Sequence, residues 1–199
     1  MQNKHLRITM LLVAMGMAGA MGGCATQTTG TGAPAPAAAE KKLAHELNLF
    51  MTFHENGRVY VLGDAKLQEI FIKTDEVALT RTRIGEGPGG RTIIFGMNKD
   101  DAKRGGPTGA EMMYDGKLEP TGPFYGEVYK NGRYYVFVEW KDMSDYLKHG
   151  EVALTYTEIG SGPKGETVIY ALNKESAKQG KPVAAIERFQ KQHPVAAMQ

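Results

Sequence analysis

The chain has one cysteine, Cys24, one tryptophan, Trp140, and almost no net charge. A single cysteine makes no intrachain disulfide and no cysteine-rich zinc site. Histidine is equally sparse. Beyond the N-terminus there are His45, His54, His149 and His193, none in a paired H-x-x-x-H spacing, and all four are expected on the surface or on the rim of the fold. A metal site is therefore not expected, and neither is a cofactor. The 24 basic side chains exceed the 22 acidic ones only through Lys4 and Arg7, so the rest of the chain is balanced. Global electrostatics thus argue against nucleic acid as a partner. No apolar run reaches the roughly 20 residues of a membrane-spanning helix. There is also no G-x-S-x-G and no H-R-D with D-F-G, which removes the familiar nucleophile and kinase patterns.

What is present begins at the N-terminus. Lys4 and Arg7 precede an uncharged, mostly apolar stretch from Ile8 to Met21, then small residues up to Cys24, the layout of a secretory signal peptide over residues 1–23. Met21-Gly22-Gly23-Cys24 resembles the lipobox of bacterial lipoproteins. The resemblance covers residues 1–24 and implies that Cys24 is the lipid attachment site, carrying a diacylglyceryl group and, after cleavage, a further acyl chain such as palmitate on its amine. Two or more acyl chains make a stable membrane anchor. With Ala25 rather than Asp after the cysteine, the resemblance implies the outer membrane, periplasmic face, or the cytoplasmic membrane in an organism without an outer one. Residues 24–39, with Pro34 and Pro36 among small residues, read as a flexible tether.

The body is written twice with an ungapped offset of 75 residues: Asn56-Gly57-Arg58 returns as Asn131-Gly132-Arg133, and Glu76-Val77-Ala78-Leu79-Thr80 as Glu151-Val152-Ala153-Leu154-Thr155. This pattern predicts an α+β fold made by tandem duplication, with repeat 1 at 40–118, repeat 2 at 119–194 and a tail at 195–199. Each Asn-Gly lies between β-rich runs and predicts a hairpin. Asp64 to Lys73 and Glu139 to Lys148 have helical spacing, with Asp64 as N-cap and Gly150 as a stop. Val77–Ile84 with Thr92–Met97 predicts a second hairpin, and Asn98 and Asn173 each open a short helix. A further strand around Ala110–Tyr114 and Ala185–Phe189 completes a β-β-α-β-β-α-β unit. Whether the two sheets merge or pack face to face is open at this level.

Two sets of residues are candidates for binding. Arg81, Arg83 and Arg91 of the first repeat stand where the second has Tyr156, Glu158 and Glu166. Either they bind an anion through their forked donors, or Arg83 and Arg91 pair with Glu158 and Glu166 across an interface between the repeats. The second set is aromatic: Tyr125, Tyr134 and Trp140, with Tyr129 and Tyr135, either core or a protein contact. Gly85 to Gly90 and Gly160 to Gly165 both satisfy G-x-G-x-x-G, but strands follow them where a dinucleotide site needs a helix. The expectation is a lipid-anchored, non-catalytic binding or adaptor module with an envelope protein as partner. The alternatives are a binder of a small anion or glycan fragment and a cell-wall hydrolase.

Overall fold

The computed structural model describes residues 47–194, so Cys24, the tether and the tail lie outside the described residues. The elements run β1 (Leu49–Glu55), β2 (Arg58–Leu62), α1 (Ala65–Thr74), β3 (Thr80–Arg83), β4 (Thr92–Gly96), α2 (Lys99–Arg104), α3 (Gly109–Tyr114), β5 (Tyr125–Lys130), β6 (Arg133–Phe137), α4 (Trp140–His149), β7 (Leu154–Glu158), β8 (Thr167–Leu172), α5 (Lys174–Lys178) and α6 (Val183–Gln192). The fold is α+β, and all eight strands belong to one mixed sheet in the order β3-β4-β2-β1-β5-β6-β8-β7.

Local chemistry accounts for most boundaries. Asn56 and Gly57 have φ of 49° and 74°, and Asn131 and Gly132 have 54° and 69°. Positive φ at both central positions is what a type I′ hairpin turn requires. The Asp64 side chain accepts from the Lys66 and Leu67 amides and so caps α1. Asn98 and Asn173 cap α2 and α5 in reciprocal boxes with Asp101 and Ser176. Gly150, with φ of 77°, ends α4 in the left-handed conformation.

The sequence reading fails at its last element. Ala110–Tyr114 and Ala185–Phe189 lie in helices, α3 and α6, so each half runs β-β-α-β-β-α-α. The helical signal was present in both places. Thr108 and Glu111 form a capping box at the start of α3, and Ala185, Ile186 and Phe189 bury one helical face of α6.

The halves join through β1 and β5, which pair in parallel with Met51 opposite Glu127 and Phe53 opposite Tyr129. Read outward from that seam the strand order is the same on both sides. Because the two central strands run parallel, the rotation relating the halves lies along the strands and turns the sheet over. A side chain on one face therefore has its counterpart, 75 positions on, on the other face. Phe50, Val59, Val61, Phe95, Met113 and Met143 pack with α3 and α4 on the first face. Met51, Leu62, Phe71, Tyr125, Tyr170 and Phe189 pack with α1 and α6 on the second. Each face is thus covered by one helix from each half, leaving a groove between them. On the first face α4 approaches β5 so closely that a Cβ at Gly126 would overlap Met143 Sδ.

Candidate functional site

The two residue sets singled out from sequence are structural in large part. Arg81 Nη1 donates to Glu111 Oε2 at 2.7 Å, and Arg83 donates both to Glu111 of α3 and to Asp115, which caps the C-terminus of that helix. The Arg83 guanidinium also stacks 4.8 Å from the Phe95 ring. Hydrogen bonding to Asp115 and then Glu111 holds Arg83 further in its charged form. The same bond holds Asp115 below the usual carboxylate range. The expected pairing with Glu158 and Glu166 is absent, because β3 and β7 are opposite edges of the sheet. Glu158 instead meets Lys181 at 3.2 Å, and Glu166 accepts from the Lys164 amide. Arg91 stands apart from the other two, 3.5 Å from the His54 imidazole.

Tyr125 and Tyr134 are buried and offer no contact surface. Both point to the second face, where Tyr134 packs against Phe189 and His193. Trp140 is partly buried, edge-on to Phe50 and Phe124, and walls the first-face groove.

The second-face groove, between α1 and α6, encloses about 650 Å³. Its rim carries Lys66, Lys73, Lys164 and Lys191; its walls include Ala65, Ile72, Pro163 and Pro194; Gln68 and His193 complete the lining, with their side-chain polar ends beneath its surface. Both of the latter are buried, at 1% and 3% exposure. Neither the amide oxygen nor the amide nitrogen of Gln68 has a hydrogen-bond partner among the described residues, and neither has His193 Nδ1. A buried polar atom without a partner costs about 1–3 kcal/mol, so such atoms call for an explanation.

Behind this lining lies a connected polar cluster. Glu127, 1% exposed, accepts from the Tyr125 hydroxyl at 2.5 Å through Oε1 and lies 2.7 Å from His193 Nε2 through Oε2. A carboxylate only accepts, so the imidazole carries a hydrogen on Nε2 and turns Nδ1 away from the pair. Burial, then the Glu127 carboxylate, pushes the Tyr125 phenol well above its ordinary range and keeps it a donor. Arg188 of α6 covers the Tyr125 ring at 4.5 Å.

The other half of the molecule supplies the comparison. At the positions 75 residues away from Tyr125, Glu127, His193 and Gln68 stand Phe50, Thr52, Leu118 and Met143, all buried. The same framework therefore closes its first face with three apolar side chains and a threonine. The connected polar cluster belongs to the second face, while the first keeps, among the described residues, a single unpartnered buried polar atom, Thr52 Oγ1. The first-face groove is smaller, about 460 Å³, since Trp140 occupies the place that Ala65 leaves open. His54 lines it, and burial together with Lys130 and Arg91 pushes the imidazole down to about 4. His193 thus corrects the expectation that every histidine lies at the surface.

A third hollow, about 260 Å³, has among its lining the capping residues Asp64, Asn98 and Thr108, which already have partners. No group of three or more metal-ligating side chains occurs among the described residues. The sequence did contain a signal for the polar floor, the exchange of apolar for polar residues between positions 75 apart. It required knowing that those positions were buried. Comparison with family models, with curated proteins and with solved structures finds no match to this chain.

Proposed function

We propose that this chain is a lipid-anchored binding protein of the bacterial envelope, made by tandem duplication of 40–118 and 119–194, which holds a segment of an envelope protein in the groove between α1 and α6. The carrying observation is the unpartnered Gln68 amide and His193 Nδ1 beneath the lining of this groove, at positions where the other half has the apolar Met143 and Leu118. A core selected for stability alone gains nothing from such groups, whereas a ligand can satisfy them. The role is binding rather than catalysis. Among the described residues the groove has one carboxylate in its lining, Glu69, and Lys73 holds it at 2.7 Å. A hydrolytic pair of facing carboxylates is not formed there.

The anchor part of the proposal rests on the lipobox resemblance and places acyl chains on Cys24, with the body on the periplasmic face of the outer membrane. Cys24→Ala is expected to lose the acyl mass and to leave the membrane fraction. The binding part is tested in intact cells with a photocrosslinking residue at Ile72, in this groove, and at Leu147, its counterpart in the first-face groove. A discrete adduct from Ile72 and none from Leu147 is expected. Equal labelling from both positions, or none from Ile72, would remove the groove from consideration.

A further inference from the structure

Resting on that groove as the binding site, we infer that its occupant is an acidic peptide segment, with carboxylates on the lysine rim and a peptide group on Gln68. Two independent features carry this. The rim brings four lysines together against one glutamate, and that glutamate is already held by Lys73. Such a concentration of one charge favours an acidic occupant. The floor then selects among acids. Gln68 has a donor and an acceptor on one planar amide, both without a partner among the described residues and both closed to water in the ligand-free groove, so the occupant engages them as the side chain turns outward. A peptide unit presents the complementary C=O and N–H. Sulfate or a carboxylate would satisfy the donor and leave the Gln68 oxygen unpaired, and an acyl chain would leave both unpaired. His193 Nδ1 supplies a further polar contact beside it, and Ile72 and Pro163 give apolar wall for side chains between the acids. The volume, about 650 Å³, lies in the ordinary range of ligand sites and suits a few residues of extended chain.

The test uses the full acylated chain in detergent and fluorescein-labelled peptides read by anisotropy. The acidic probe is acetyl-Glu-Ala-Glu-Ala-Glu-amide, and the basic control has Lys in place of Glu. The acidic peptide is expected to bind and the basic one not. Gln68→Met, which copies the buried Met143 and leaves every rim lysine in place, is expected to weaken the acidic probe at least tenfold while melting as one folded species. Equal binding by Gln68→Met, or displacement of the peptide by equimolar sulfate, would show that charge alone is read and overturn the inference. If the acidic peptide fails to bind while Ile72 still crosslinks in cells, the ligand class falls and the groove stands. If both fail, both readings fall.

Discussion

Glu127 sits at 1% exposure because Tyr125 and His193 hold its two oxygens. Removing one member of such a set costs about 3–5 kcal/mol, since the partners remain buried and unpaired. Glu127→Leu should show a loss of that order in urea unfolding; a change below about 1 kcal/mol, the ordinary scale of a single hydrogen bond, would mean the cluster is not energetically connected. His54 behaves in the opposite sense to a paired histidine. Burial, Lys130 and Arg91 hold it down to about 4, against the ordinary imidazole value of about 6.5 in the unfolded chain. Between those values the unfolded chain binds a proton that the folded chain does not, so stability falls as pH drops through that window. His54→Asn should flatten this slope between pH 6.5 and 4, measured as midpoint against pH. An unchanged slope would assign it to other groups.

At the level of elements, Arg81 and Arg83 are the ties between edge strand β3 and helix α3, with Glu111 buried between them. Arg83→Ala leaves that carboxylate half-satisfied, and a cost of about 2–4 kcal/mol is expected, below that of a fully buried pair because Arg83 is partly exposed. Binding at the second-face groove should not change; if it does, β3 and α3 belong to the site. Much of this level was legible in the sequence. Asn-Gly turns, Asp64, Asn98 and Gly150 act through contacts a few residues away, so local pattern suffices. The exceptions are α3 and α6, where the apolar residues suggest a strand although Thr108–Glu111 and the Ala185–Phe189 spacing favour helix. The partners of Arg81 and Arg83 were not legible. They lie about thirty positions away, on a helix whose face is set by the sheet.

For the whole molecule the decisive contact is the parallel pairing of β1 with β5, which no local pattern announces. It turns the second half over relative to the first, sends Tyr125 and Tyr134 inward and places Gln68 and His193 in one groove. It also gives each face a core drawn from both halves. Unfolding should therefore be a single transition, with calorimetric and van't Hoff enthalpies equal; two resolved transitions would mean that the halves fold independently. The central claim is that the second-face floor is kept polar for a ligand at the expense of stability. Urea unfolding of Gln68→Met in the absence of any ligand tests it most directly. Methionine is close to glutamine in shape and occupies the counterpart position at Met143, so relief of the unpaired amide should raise stability by about 1–3 kcal/mol. A less stable Gln68→Met protein would make Gln68 an ordinary core residue and contradict the account.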